Sequence, residues 1–133
     1  MSEENLEVVR RFAECWERSD WDGMAELAHP EVEQHATVGG VEEGRVRRGV
    51  SEIREDYEGA EETWEEHRVE VEELIDAGDS VVILQHEHMR GKTSGIELDV
   101  HLAVVVDLRD GQIVRVQGYM DRAAALEAAG ASG

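Results

Sequence analysis

The chain has 133 residues, enough for one domain with a hydrophobic core, and its 32 acidic residues outnumber its 13 basic ones. The formal charge of −19 repels phosphate backbones and anionic membranes, so we expect neither nucleic acid nor a membrane as a partner. Cys15 is the only cysteine, which excludes an internal disulfide, and the apolar run over residues 102–106 is too short to cross a bilayer. The first residues show no signal-peptide pattern, and the sequence therefore predicts a cytoplasmic protein.

The N-terminal part of the chain is predicted to be helical. Apolar residues recur with a period of about 3.6 residues between Leu6 and Trp16, which indicates an amphipathic helix. Asp20 is a typical N-cap residue and predicts a short second helix that ends near Ala28. Pro30 disfavours helix at the residue before it, so the helix should not continue past this point.

The middle of the chain combines a short strand, a loop and a third helix. Residues 31–38 alternate between polar and apolar side chains like a strand, and the glycine-rich residues 38–50 indicate a loop. A third helix is predicted to begin near Ser51, with Ile53 and Tyr57 as an apolar pair four residues apart.

The second half is predicted to be β-structure followed by a short helix. The predicted strands cover residues 67–76, 81–90, 96–109 and 112–120. Asp110-Gly111 between the last two is a strong hairpin signal. Asp121 and Gly130 are the expected N-cap and stop of the final helix. The pattern predicts an α+β fold whose helices cover one face of an antiparallel sheet.

Two segments carry a resemblance to a known family. RRFAECWERSDWDGMAELAHPEVEQ (residues 10–34) and DLRDGQIVRVQGYMDRAAALEAAG (residues 107–130) resemble the SnoaL-like branch of the nuclear-transport-factor-2-like superfamily, which includes ketosteroid isomerases and polyketide cyclases. The resemblance implies one domain over residues 1–133, in which three N-terminal helices pack in the concave face of a strongly curved antiparallel or mixed sheet. It also implies a cone-shaped, cystatin-like α+β barrel with a ligand cavity, a short C-terminal helix, and a homodimer formed through the outer face of the sheet.

Alternation along the strands, combined with this resemblance, predicts which side chains face the cavity. In the last strand they are Val116, Gly118 and Met120. In the strand before it they are Leu98, Val100, Leu102, Val104 and Val106. In VVILQHEHMR, residues 81–90, they are Val82, Leu84, His86 and His88. Two imidazoles are thus predicted to enter an otherwise apolar cavity, although a single β-bulge would invert this assignment.

These positions give the candidate site. Imidazole titrates near neutral pH, so His86 or His88 is suited to act as a general base, and the resemblance places Tyr57 beside them as a hydrogen-bond donor. Either Gln34 or His35, which are neighbours in the first strand, should face the pocket. The predicted substrate-binding residues are Phe12, Trp16, Gln34, His35, Leu84, Leu102, Val116 and Met120. Cross-strand hydrogen bonds for the histidines and plain core packing for Tyr57 are the structural alternatives.

Some chemistry of the resembling family does not fit. A ketosteroid isomerase holds its dienolate oxygen with a tyrosine and a protonated aspartic acid, and the matching positions here are Phe12 and Leu102, which cannot donate a hydrogen bond. His86 and His88 offer two metal ligands without a clear third, so no metal is predicted. Phosphate-binding and dinucleotide motifs are missing from the sequence, and no cofactor is predicted.

The sequence thus favours a general acid/base enzyme of isomerase, cyclase or lyase type that acts on a small apolar molecule with a carbonyl group. A non-catalytic binding module and a dimeric scaffold with a vestigial pocket are the alternatives. Ala103, Val105 and Tyr119 share the outward face and form an apolar patch, which predicts a homodimer.

Overall fold

The computed structural model describes residues 2–130, without the side chains of Ser2 and of residues 60–63. Its helices are α1 (Ser2–Arg18), α2 (Trp21–Leu27), α3 (Gly49–Thr63) and α4 (Arg122–Ala129). Its strands are β1 (Ala28–Val38), β2 (Val46–Arg48), β3 (Trp64–Asp76), β4 (Ser80–Gly91), β5 (Glu97–Arg109) and β6 (Gln112–Tyr119). The predicted α+β class is confirmed. None of the described helices combines the length and the apolar character needed to span a membrane.

The predicted caps and the predicted hairpin turn are present. The Asp20 side chain accepts a hydrogen bond from the Gly23 amide at the start of α2, and the Asp121 side chain accepts from two amides of α4. Gly130 ends α4 in the left-handed conformation, with φ of 76°. Asp110 and Gly111 have φ of 52° and 78°, as expected of a two-residue turn that matches the twist of its strands.

The six strands form one mixed sheet in the order β2-β1-β6-β5-β4-β3. β1 and β6 are parallel, and the other neighbouring strands are antiparallel. Over the described residues no pairing joins β2 to β3, so the sheet is open and β3 is an edge strand. The short strand β2 lies where a loop was predicted. Its Arg47 is buried and holds Asp56 of α3 at 2.6 Å, a partner that local sequence does not indicate.

The two faces of the sheet pack against different helices. We call the face that α1, α2 and α3 cover the inner face, and the opposite one the outer face. The buried core of the inner face consists of Val9, Phe12, Met24, Ala28, Val32, Ile53, Val81, Ile83, Val106, Leu108, Ile113 and Val116. The buried core of the outer face consists of Val82, Ala103, Val105 and Ala125, with Ile75, Leu84, Tyr119, Leu126 and Ala129 packed against it.

The outward apolar patch is covered by the chain itself. Ala103 and Val105 are 0% and 7% exposed, because Ala125 and its neighbours on α4 pack directly on them. The sequence-based argument for a homodimer treated this patch as surface, and that premise is wrong. A hydrophobic strip that α4 already buries gives no free area to a partner sheet.

Candidate functional site

Which side chains of β4 lie on the inner face of the sheet determines which residues can form the candidate site. β4 pairs with β5 without interruption, with Val81 opposite Val106 and Gln85 opposite Leu102. Val81 belongs to the inner core, whereas Leu84 packs under α4 on the outer face. Because side chains alternate along a strand, Gln85, Glu87 and Met89 share the inner face, and His86 and His88 lie on the outer face. The prediction that Val82, Leu84, His86 and His88 face the inner cavity is therefore wrong.

The outer-face histidines have partners on β5. His86 Nε2 lies 2.8 Å and His88 Nδ1 lies 3.0 Å from the same Oδ1 atom of Asp99. The His86 ring also stacks on the His101 ring, with centroids 4.3 Å apart. Hydrogen bonds from His88 and then from His86 hold the pKa of Asp99 below its usual value. His86 and His88 thus make cross-strand hydrogen bonds, which is the alternative to a catalytic role that the sequence left open for them.

A different imidazole lies on the inner face. His67 of β3 places Nε2 2.8 Å from Oε1 of Glu87, and the two side chains are 20% and 18% exposed. Gln85 donates a longer hydrogen bond of 3.5 Å to the other oxygen of Glu87. A carboxylate only accepts hydrogen bonds, so Nε2 of His67 is the donor in this contact. The carboxylate of Glu87 therefore orients the imidazole ring of His67.

An aromatic cluster adjoins this pair. The rings of Trp16, Trp21 and Tyr57 contact one another edge to face, with centroids 5.4–5.9 Å apart. The ring of Tyr57 lies 6.3 Å from the imidazole of His67, tilted by 30°. Each of the helices α1, α2 and α3 thus contributes one aromatic ring to a cluster beside His67. Two of these rings, Trp16 and Tyr57, are predicted site residues.

A groove runs between these helices and the edge strand β3. Its inner part is lined by Trp16, Glu17, Tyr57, His67, Val69 and Val71. It continues around the edge of β3 to the outer face, where Arg68, Glu70, His86 and His88 border it. Consecutive residues of a strand point to opposite faces, so these two parts are separated by the backbone of β3. Tyr57 and His67 border the groove from the inner face, and His86 and His88 border it from the outer face.

The remaining predicted positions divide between the two faces. Gln34 pairs with Val116 on the inner face, and its Oε1 atom is buried with no hydrogen-bond partner in the described structure. His35 lies on the outer face, 2.9 Å from Glu33. Phe12, Leu102 and Val116 are buried, and Met120 is 43% exposed. Of the two predicted candidates in β1, Gln34 therefore faces the inner side of the sheet and His35 does not.

No group of three histidine, cysteine, aspartate or glutamate side chains in the described part of the chain is arranged to hold a metal ion. His67 and Glu87 supply two possible ligands, fewer than the three protein ligands of a typical catalytic zinc site.

His67 and Glu87 were not predicted from the sequence. In HRVEVEELID, His67 has the parity of Val69 and Val71, and this apolar alternation indicates that His67 shares their buried face. Glu87 lies between His86 and His88 in the sequence. Because the two faces of β4 were predicted in reverse, Glu87 was expected on the outer face and was not considered as a site residue.

The family follows from the sequence match. The family model described as a SnoaL-like domain matches residues 9–116 of the chain. The chain belongs to this SnoaL-like family. Membership confirms the resemblance, while no curated protein matches the sequence of this SnoaL-like chain.

Solved structures share the fold at low identity. An NTF2-like protein from Burkholderia thailandensis is 23% identical, with a TM-score of 0.79 over 92% of this SnoaL-like chain and 96% of that one. An NTF2-like protein of unknown function from Burkholderia pseudomallei is 21% identical, with a TM-score of 0.76 over 93% and 95%. A protein proposed to be a SnoaL-like polyketide cyclase from Jannaschia sp. CCS1 is 22% identical, with a TM-score of 0.75 over 99% and 95%. These likenesses establish the fold.

Proposed function

We propose that this chain is a general acid/base enzyme of isomerase, cyclase or lyase type, and that its base is His67. The observation that carries the proposal is the hydrogen bond of 2.8 Å between His67 and Glu87 on the inner face. An imidazole whose tautomer is fixed by a carboxylate is the usual form of a positioned base near neutral pH. The histidines first considered, His86 and His88, hydrogen-bond to Asp99 on the other face and have no part in this step.

The reaction begins with a proton on the carbon next to a carbonyl group. Nδ1 of His67 takes this proton, the C–H bond breaks, and its electron pair moves to give an enolate oxygen. Glu87 stabilises the imidazolium that forms, because its carboxylate already accepts the hydrogen bond from Nε2. We assign the hydroxyl of Tyr57, whose ring lies 6.3 Å from the imidazole, as the donor to the enolate oxygen. In a substrate whose second double bond is conjugated with the enolate, return of the proton to the far carbon of that double bond completes an isomerisation.

The surroundings favour a small ligand with an apolar part. Val69 and Val71 line the inner part of the groove with Trp16, and the aromatic cluster closes it on the helix side. The Jannaschia protein is proposed to be a polyketide cyclase, and enolate chemistry is compatible with that class of reaction. The substrate class is therefore a small ketone with a largely apolar body.

Hydrogen–deuterium exchange at carbon tests the proposal. A panel of small cyclic ketones is incubated with the protein in D2O, and loss of the α-proton signal is followed by NMR. We expect the protein to accelerate exchange, and His67→Ala to lower the rate by about 10²-fold or more, the usual contribution of a general base. His86→Ala and His88→Ala are matched controls and should change it by less than about twofold. Equal rates in His67→Ala and the unaltered protein would contradict the assignment.

A non-catalytic binding module is the second candidate, because the cluster of Trp16, Trp21 and Tyr57 supplies a binding wall whether or not His67 acts. This candidate predicts a bound ketone without exchange.

A homodimer through the outer face stays a prediction, tested by sedimentation at micromolar concentration.

A further inference from the structure

We propose that the inner part of the groove binds an alkylammonium group in the corner between Trp16 and Tyr57. The inference deepens the proposed function and rests on it for the site, since it adds a cationic anchor to the substrate on which His67 would act. Binding of the cation itself requires no turnover, and the two proposals can therefore fail separately.

Two aromatic faces form the corner. The rings of Trp16 and Tyr57 have centroids 5.5 Å apart and planes inclined at 81°, with the edge of one ring against the face of the other, and both residues line the groove. Trp21 contacts both rings from α2, at 5.9 Å and 5.4 Å, and holds the pair in place. The face of an aromatic ring carries a partial negative charge that attracts a cation, most strongly for tryptophan.

The charges around the corner favour a positive ligand. Glu17 lines the same part of the groove, and among the described side chains no basic group lies within ion-pair distance of its carboxylate. Arg68, on the other side of the β3 edge, is held by Glu66 at 3.1 Å. The chain as a whole carries a formal charge of −19, which draws small cations towards it.

The shape of the corner selects among cations. A compact ammonium with methyl groups contacts two perpendicular faces at once, with apolar surface against each ring, whereas a planar cation stacks on one face only. Val69 and Val71 extend the inner part of the groove from β3, next to His67. An alkylammonium ligand held at Trp16 and Tyr57 would thus place its uncharged remainder towards the imidazole, 6.3 Å from the Tyr57 ring.

Two probes of the same shape separate charge from hydrophobicity. Choline and its neutral carbon analogue 3,3-dimethylbutan-1-ol are titrated into the full chain, and the indole N–H signals of Trp16 and of its neighbour Trp21 are followed by NMR. We expect choline to bind roughly 3- to 30-fold more tightly than the neutral analogue, as the strength of cation–aromatic contacts implies. Equal affinity of the two probes, or the absence of any shift at millimolar choline, would overturn the proposal.

Variants locate the site. Trp16→Leu keeps apolar bulk but removes the aromatic face, and it should abolish the preference for choline, which Trp16→Phe should restore in part. Glu17→Gln should weaken choline alone by a fewfold, while Glu14→Gln, an exposed change of the same charge on the same helix, should have no effect. An unchanged preference in Glu17→Gln, or an equal loss in Glu14→Gln, would exclude this corner. The two probes and the Glu17 variant decide the matter even if Trp16→Leu does not fold.

His67→Ala distinguishes this inference from the proposed function. We expect it to retain choline binding while it loses ketone exchange. Retained exchange in His67→Ala contradicts the assigned base and leaves the cation site standing, whereas loss of choline binding in His67→Ala contradicts the cation site as located here.

Discussion

The two faces of β4 hold similar residues in different surroundings. On the inner face, Glu87 is 18% exposed and bonds one imidazole, His67, beside the aromatic cluster. On the outer face, Asp99 is 58% exposed and bonds two imidazoles, His86 and His88. The rings of His86 and His88 are themselves 27% and 19% exposed, close to the 20% of His67, so the two sites differ in the exposure of the carboxylate and not in that of the imidazoles. The proposed base, His67, lies on the face that α1, α2 and α3 cover, whereas His86 and His88 lie on the face that α4 partly covers.

The largest expected difference between the faces is in packing. Ile83 is 4% exposed in the inner core, whereas its neighbour Leu84 is only partly buried under α4. Ile83→Ala should lower the free energy of unfolding by about 2–5 kcal/mol, and Leu84→Ala by less, because fewer contacts are lost. Urea unfolding monitored by circular dichroism measures both. A larger loss for Leu84→Ala would mean that the faces have been assigned in reverse.

The outer face depends on α4, and the cap of α4 gives an intermediate effect. The Asp121 side chain accepts hydrogen bonds from the amides of Ala123 and Ala124. Asp121→Ala should cost about 1 kcal/mol of unfolding free energy, whereas Asp121→Asn should be nearly neutral, since asparagine caps equally well. Urea unfolding of the three proteins tests this. Equal losses in both variants would show that charge, rather than the cap, is responsible.

The smallest effect concerns pH and the outer network. The folded pKa of Asp99 lies below its unfolded value of about 3.9, because His88 and His86 donate to the carboxylate. The stabilisation is therefore present above the unfolded pKa and is lost as the pH falls through the folded pKa. Asp99→Asn should be slightly less stable than the unaltered protein at roughly neutral pH, and the difference should close in the acid range.

Urea unfolding at a series of pH values measures this difference. Asp79→Asn, an exposed change of the same kind, is the control and should show no such closing gap. A difference between Asp99→Asn and the unaltered protein that persists in strong acid would mean that the ionised carboxylate is not its source.

Local signals in the sequence were sufficient for much of the fold. Asp20, Asp121 and Gly130 cap their helices as predicted, and Asp110-Gly111 forms the predicted turn, because these features depend only on neighbouring residues. The faces of β5 and β6 were also predictable, since Leu102 and Val116 alternate with polar or outward residues and both lie on the inner face. The strand β2 was not, because burial of Arg47 depends on Asp56 in the following helix.

The face of β4 could not be decided from its own residues. Its first part, residues 81–84, is apolar on both faces, since α4 covers the outer one and α1 to α3 the inner one. Pairing with β5 decides it: Arg90 lies opposite Glu97, and five residues separate the two strands. A loop of this length does not fix the register, and a shift by one residue moves every side chain to the other face.

The α4 helix sets a condition on any contact between two copies of the chain through the outer face. The hydrophobic half of that face is already occupied by Ala125 and its neighbours, which leaves the polar half around Asp99, His86 and His101. Assembly there would be electrostatic in origin. Such a complex would weaken as ionic strength rises, in contrast to one built on buried apolar area, which salt leaves largely intact.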